Sequence, residues 1–317
     1  KFQQLVHAIT EAISIGELKV GDSLPSVNQL SKESGFSRDT VFKAYNILKQ
    51  RNIVESAPQK GYFVASESFK VFVLLDDFSA FKEQLYQSFR QNLPDSYSVD
   101  LLFHHYNPDV FHQLIENSLG RYSMYVVMNI DHKTIDPILE KIDANKLLVL
   151  DMGKPENGKL NYLLQDFNTS VKNCLEKGLN LLKKYDELNL VYAENNTPHP
   201  VEIISAVRNF CNKNQLKFRK SNQVNEADIQ KGQAWFVIRE SDLVQVIKTC
   251  RKNQLELGKD VGIISYNDTP MKQIVGGGIT VISVDFNLMG QKAAEFVKNK
   301  QKIGEVLPTS LLLRDSL

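Results

Sequence analysis

Two short stretches, Leu24-Pro25-Ser26-Val27-Asn28-Gln29-Leu30 and Gly35-Phe36-Ser37-Arg38-Asp39-Thr40-Val41, decide the reading of the N-terminal region. Ser26 precedes a run with helical spacing. Its hydroxyl can accept from a first-turn N–H, and the Gln29 amide three residues on can answer back, as in a capping box. Val27 and Leu30 face inward. Gly35 ends this helix after about two and a half turns. Ser37 is the next N-cap, and Val41, Ala44, Tyr45 and Leu48 form the buried stripe of a longer helix. Its opposite face shows Arg38, Asp39, Lys43 and Asn46.

Working outward, Leu5, Ile9, Ala12 and Ile13 predict an earlier helix stopped by Gly16. Downstream, Ile53-Val54-Glu55 and Tyr62-Phe63-Val64 flank Ser56 to Gly61 and predict a hairpin. Two helices with a tight turn followed by a hairpin define a winged helix-turn-helix. Such a recognition helix offers its N-terminal side chains to base edges in the major groove. Its first-turn N–H groups suit phosphate. The hairpin would set Lys60 and the Gly61 backbone against the neighbouring sugar-phosphate chain. A dimerisation or protein-docking module is the other reading of such a unit.

Residues 2–65 resemble the gluconate-repressor (GntR) family of bacterial transcription regulators. The matching stretches are Ile15-Gly16-Glu17-Leu18-Lys19-Val20-Gly21-Asp22-Ser23-Leu24-Pro25-Ser26, then Gly35 to Val41, then Gly61-Tyr62-Phe63-Val64. The resemblance implies that Ser26, Asn28, Ser37, Arg38, Asp39, Thr40 and the wing at Lys60-Gly61 touch operator DNA, with Lys43 on the same exposed face. Two departures stand out. The family often has Arg where this chain has Asn28 and Phe42. Its wing usually reads Gly-x-Gly-Thr, whereas this one reads Gln59-Lys60-Gly61-Tyr62, with Lys60 as the substitute contact.

Composition bounds the rest. The chain has 317 residues, 42% apolar and 24% charged, which excludes extensive disorder. It lacks a stretch of 18 uncharged apolar residues and starts at Lys1 with an acid-containing amphipathic run, unlike a secretory signal. A first residue other than Met reads as a chain trimmed at its start. The net charge is +1, from 38 basic and 37 acidic residues. Residues 1–65 hold eight of the basic and six of the acidic side chains, so the head carries +2 and the body −1. A chain that coats nucleic acid is therefore not expected, but a small reader on a neutral body is. Cys174, Cys211 and Cys250 are odd in number and widely spaced, which predicts core thiols in a reducing, cytoplasmic setting.

Beyond the polar segment 66–70, read as a linker, apolar strands alternate with helices. Strands are predicted at 71–75, 99–103, 125–128, 147–150, 188–192, 234–238, 261–265 and 279–284. Helices are predicted at 81–89, 110–119, 171–182, 201–211, 243–250 and 289–297. This is parallel α/β with both sheet faces covered. The expected divisions are a head over 1–65 and a two-lobed body over 71–317. The first lobe takes about 71–164 and 286–306, and the second about 165–285 and 307–317. Ligands bind such sheets beyond the carboxyl ends of strands. There stand Asp76-Asp77-Phe78, Asn129, Asp131, Asp151, Asp166, Glu194, Arg239-Glu240 and Asn267-Asp268. Carboxylates, amides, an Arg and aromatic faces suit a polyhydroxylated ligand.

The body is similar to the lac-repressor (LacI) and periplasmic sugar-binding family, a type I two-lobed fold. The similarity rests on Asp260-Val261-Gly262-Ile263-Ile264-Ser265-Tyr266-Asn267-Asp268-Thr269-Pro270, Met289-Gly290-Gln291-Lys292-Ala293-Ala294-Glu295 and Leu307-Pro308-Thr309 to Arg314. By position it implies a ligand set of Asp77, Phe78, Phe81, Asp166, Arg239, Glu240 and Asn267. The family usually has Asn-Asp at Arg239-Glu240 and Asp at Asn267. Ile203 stands where the family carries a sugar-binding Arg, and His199 or Glu202 takes over in this expectation.

The other constellations are weak. His104-His105 with His112 are expected to be structural, the first pair pointing to opposite faces of a strand. Gly276-Gly277-Gly278 reads as a connector and not a phosphate loop. The expected function is a repressor, working as a homodimer, whose operator affinity is set by a small carbohydrate, a monosaccharide first, bound between the lobes. No cofactor, metal, membrane partner or enzymatic activity is expected. The alternatives are the same architecture sensing an amino acid or nucleobase, and an enzyme-type domain fused to a DNA-binding head.

Overall fold

The computed structural model describes residues 2–51, 53–65, 69–130, 135–153, 160–194 and 199–317. Most of the expected linker and Asp131 lie outside the described residues. The head runs α1 (Phe2–Ser14), α2 (Val27–Ser34), α3 (Arg38–Gln50), β1 (Val54–Ala57) and β2 (Gly61–Val64). The elements β3 (Lys70–Leu75), α4 (Ala80–Gln91), β4 (Ser98–Phe103), α5 (Pro108–Ser118), β5 (Met124–Met128), α6 (Ile135–Leu139), β6 (Leu147–Asp151) and β7 (Asn161–Leu164) follow. Next come α7 (Thr169–Lys177), α8 (Leu179–Leu182), β8 (Glu187–Val191), α9 (Glu202–Lys213), β9 (Lys217–Ser221), β10 (Gln233–Val237) and α10 (Glu240–Lys252). The chain closes with β11 (Val261–Tyr266), α11 (Pro270–Ile274), β12 (Thr280–Val284), α12 (Phe286–Asn299), β13 (Gly304–Val306) and β14 (Thr309–Leu312).

In the head, Ser26 Oγ accepts from the Gln29 N–H at 3.2 Å. The reciprocal half of the capping box is not made: the Gln29 amide donates instead to Glu33 at 2.9 Å, its neighbour one turn on. Gly35 closes α2 with φ of 71°, a left-handed conformation that costs glycine nothing, and its N–H reaches Ser31 O. Leu5, Ile13, Leu24, Val41, Tyr45, Leu48, Val54 and Val64 share one core, joining all three helices to an antiparallel hairpin.

The body contains two sheets of six strands, in the orders β13-β7-β6-β5-β3-β4 and β14-β12-β11-β10-β8-β9. Neighbouring strands from β7 to β4 are parallel, as are those from β12 to β9, and β14 closes the second sheet antiparallel to β12. Central strands are buried throughout, as runs such as Val-Val-Met and Leu-Leu-Val-Leu require. By packing, one unit comprises 1–78, 87–164 and 290–305, and the other 79–86, 165–289 and 306–317. The first unit therefore includes the head. Gly120, after α5, lies so close to Thr10 of α1 that a Cβ there would stand 2.9 Å from the Thr10 carbonyl.

The structure corrects three details of the sequence reading. The helix expected over 171–182 breaks into α7 and α8 at Gly178, where a Cβ would meet the Leu311 side chain at 3.1 Å. His104 and His105 lie past the end of β4, not on it. His105 and Tyr106 both take positive φ (50° and 56°), so the pair points nowhere as strand neighbours would. Strands β7, β9, β13 and β14 are additions. Strand β9 reads Lys-Phe-Arg-Lys-Ser, the charged pattern of a sheet edge and not of an apolar core strand. The three cysteines are free and buried. Burial pushes the Cys211 thiol up to about 12 and that of Cys250 up to about 11, so neither is a nucleophile at neutral pH.

Candidate DNA interface and ligand site

One residue fixes the geometry of the candidate DNA-reading face. Tyr45, fully buried on α3, donates from its hydroxyl to the Pro25 carbonyl at 2.6 Å and lays its ring 4.3 Å from that of Tyr62. Helix α3, the entry to α2 and the hairpin strand β2 are thereby held together. Ser37 Oγ caps α3, accepting from the Thr40 N–H at 3.3 Å and lying 2.8 Å from the Thr40 hydroxyl. Ser26, Asn28, Ser37, Arg38, Asp39, Lys43, Lys60 and Gly61 are exposed, and Thr40 is half-buried. The Lys43 ammonium lies 4.5 Å over the Phe2 ring, and Lys60 lies 4.0 Å over Phe63. The wing turn carries positive φ at Gln59 (65°) and Gly61 (75°).

In the second unit, polar groups gather beyond the carboxyl ends of β8, β10 and β11. Asn267 follows β11 with φ of 59°, a conformation Asn tolerates better than most residues. Its N–H donates to Ile282 O at 2.9 Å and its carbonyl accepts from the Lys272 ammonium at 2.9 Å. The Asn267 side-chain oxygen is buried and has no hydrogen-bond partner among the described residues. An unmade buried bond of this kind costs about 1–3 kcal/mol unless a further group satisfies it. Phe167, His199 and Tyr266 pack on one another: the imidazole meets the Tyr266 ring edge-on at 4.5 Å and the Phe167 ring at 5.3 Å. Tyr192, at the end of β8, donates from its hydroxyl to the His199 carbonyl.

Other expected ligand residues carry structural bonds. The Asp166 carboxylate caps α7, accepting from the N–H groups of Asn168, Thr169 and Ser170 at 2.8 to 3.0 Å. Arg239 grips the buried Asp242 through two bonds, 2.8 and 3.0 Å. Glu240 is exposed and pairs with Lys272 at 3.1 Å. Burial lowers the affinity of the Lys272 amine for its proton, and Glu240 opposes that shift. Glu202 is exposed at the start of α9, and Phe81 packs on Phe286 at 4.7 Å.

In the first unit, Asp76 is buried and receives the Tyr106 hydroxyl at 2.7 Å and the Asp77 N–H at 2.8 Å. Burial raises the Tyr106 phenol, and Asp76 raises it further. His104 accepts from the Tyr106 N–H at 3.2 Å while its other nitrogen faces Met128 O at 3.2 Å, which describes a neutral imidazole serving the loop. Asp77 is half-buried, and Phe78 is 70% exposed with its ring edge-on to Phe103 at 6.2 Å. Sequence reasoning missed Lys272, Tyr192 and Tyr106 as site builders. A lysine after Thr269-Pro270 reads as a surface residue, and nothing in its spacing announces burial.

The comparisons agree with this architecture. Residues 1–64 match the model of bacterial regulatory proteins of the gntR family, and residues 183–317 match the periplasmic binding protein-like domain. The mannosyl-D-glycerate transport/metabolism system repressor of Escherichia coli (strain K12) is 37% identical over 86 residues, 26% of this chain and 34% of that protein. Three uncharacterised HTH-type regulators from Escherichia coli and Bacillus subtilis are 34–40% identical over segments that make up only 14–16% of their own length. Among solved structures, the trehalose repressor of Escherichia coli superposes with a TM-score of 0.65 at 12% identity, covering 77% of this chain and all of that one. A cellobiose complex of the regulator CelR gives 0.63 at 12%, covering 93% of this chain and all of that one. The lac repressor dimer bound to operator and an anti-inducer gives 0.64 at 16%, covering 79% and 94%. All of these bear the names of transcription regulators. The chain thus carries a head matched by the GntR-family model and a periplasmic-binding-protein-like domain over residues 183–317, in a body that shares the fold of the lac and trehalose repressors.

Proposed function

We propose that this protein is a cytoplasmic transcription regulator, a repressor, that binds operator DNA as a homodimer and whose operator affinity is set by a small carbohydrate. Two recognition helices related by a two-fold axis would read two half-sites one helical turn or a multiple apart. In the head, Arg38, Asp39, Thr40 and Asn28 face the groove, with Ser26, Ser37, Lys43, Lys60 and Gly61 on the backbone. In the second unit, Asn267 and His199 are assigned to the effector, with Asp166, Phe81, Glu202, Arg239 and Glu240 as further candidates; in the first unit, the candidates are Asp77 and Phe78.

The observation that carries the effector reading is the buried Asn267 side-chain oxygen, without a hydrogen-bond partner among the described residues, on a residue whose backbone is held by Ile282 and Lys272. A hydroxyl can satisfy it while its ring C–H face meets an aromatic. The sugar-responsive regulators of the same fold support the class of ligand.

A thermal-shift screen of the full chain against mono- and disaccharides, purines and amino acids tests this reading. A sugar should raise the melting temperature in a dose-dependent way, and the same sugar should change retention of a duplex selected from a random pool. Stabilisation by purines or amino acids alone would overturn the carbohydrate assignment.

A further inference from the structure

Phe42 is the most exposed large apolar side chain of the head among the described residues, at 52%. It stands on α3, one turn beyond Arg38 and one turn before Asn46. Its neighbours on that face are polar, and Lys43, next to it in sequence, is turned over the Phe2 ring. No ring of another described residue is recorded as stacking on Phe42, although Tyr45, three residues on, is wholly buried. An aromatic ring in the middle of a DNA-reading face is a position where apolar surface stays in water until DNA covers it.

The major groove offers one apolar feature, the thymine C5-methyl group; all other base-edge groups there are donors or acceptors. We propose that Phe42 is a specificity-determining residue that packs on a thymine methyl in each operator half-site. The proposal rests on the reading of α3 as the recognition helix. Arg38 and Phe42 share a face about one helical turn apart, about 6 Å along the axis, against a base step of about 3.4 Å. The thymine therefore lies one or two base pairs from the base that Arg38 reads, for which guanine is the geometric match.

The test uses the full chain. Duplexes are first selected from a random pool. Each thymine of the selected half-site is then replaced singly by deoxyuridine, which removes only the methyl. Affinities are measured by competition at one fixed salt concentration. Wild type should lose about fourfold at one thymine per half-site, the value of one buried methyl group. Phe42→Ala should bind more weakly and be indifferent to the same replacement. Phe42→Arg should prefer guanine at that base pair. Because the ring is half exposed, Phe42→Ala should melt as wild type does; if it does not, the deoxyuridine series on wild type still decides.

Wild-type binding unchanged by every deoxyuridine, with selectivity still dependent on Arg38, overturns the thymine contact and leaves the DNA-reading head standing. Equal sensitivity of wild type and Phe42→Ala also overturns it, as does a Phe42→Ala chain with unaltered DNA binding but a changed oligomeric state. Failure to select any sequence overturns both readings together.

Discussion

The Lys272 ammonium donates to the Asn267 carbonyl oxygen at 2.9 Å and to the Tyr266 carbonyl oxygen at 2.8 Å, from a side chain only 3% exposed. A buried cation thus holds the turn that carries Asn267, whose side-chain oxygen has no partner among the described residues. Glu240 at 3.1 Å supplies the countercharge. The backbone of the loop after β11 is thus set by a lysine of α11.

Asn267→Ala should weaken effector binding by roughly 1–3 kcal/mol, about five- to 160-fold, while operator affinity without effector stays unchanged. Titration calorimetry with the sugar found in the screen measures this. An unaltered affinity would remove Asn267 from the site. Lys272→Met should loosen the same turn and lower both effector affinity and the melting temperature, because two carbonyls lose their donor.

Arg38→Ala should weaken operator binding by about 1–3 kcal/mol and relax selectivity at one base pair, leaving effector binding intact. Lys60→Ala, on the wing, should weaken binding more evenly across sequences and lower its salt dependence. Fluorescence anisotropy on specific and scrambled duplexes over a salt series separates the two.

Asp166→Ala removes an N-terminal cap from α7 and should cost about 1 kcal/mol of stability, with Asp166→Ser restoring most of it. Urea unfolding reads the difference. If Asp166→Ser is stable but fails to bind effector, the carboxylate also serves the ligand. If it binds normally, the cap is its whole role.

Tyr45 gives a pH signature. Burial, with Tyr62 and Glu33 adding to it, pushes its phenol up from 10.0 to about 12. The folded state therefore keeps a proton that the unfolded chain releases. This contribution is complete below pH 10 and is lost between pH 10 and about 12, on the order of 2 kcal/mol. Tyr45→Phe should be less stable at pH 7 by about 0.5–1.5 kcal/mol, through the lost bond to Pro25, and should show a shallower decline above pH 10. Hydrogen exchange of head amides at several pH values tests both.

Gly120→Ala should destabilise the packing of α1 on its unit. Gly120 has φ of 68°, and the added Cβ would lie 2.8 Å from Thr10 Cγ2 and 2.9 Å from Thr10 O. The left-handed backbone alone costs roughly 1–2 kcal/mol with a side chain. A lower melting temperature with faster exchange in α1 is the expected result.

The head was legible from residue order because its determinants are local. Ser26, Gly35 and Ser37 cap and stop helices within four residues of themselves, and the stripe Val41, Ala44, Tyr45, Leu48 follows the helical period. The alternation of apolar strands with helices likewise announced parallel α/β in the body. The short strands β7, β9, β13 and β14 were not legible: β9, β13 and β14 are sheet edges, which tolerate charge and need no apolar run, and β7, inside its sheet, is only four residues long.

The candidate site divides in the same way. Residue types at strand ends determined that polar and aromatic groups would gather there. Only the tertiary structure decided which of them are spent. Asp166 is bound to its own helix, Arg239 to Asp242 and Glu240 to Lys272, while the Asn267 oxygen is left unmatched. A sequence names donors and acceptors. Whether each is already satisfied depends on distances of about 3 Å between residues far apart in the chain, and packing alone sets those.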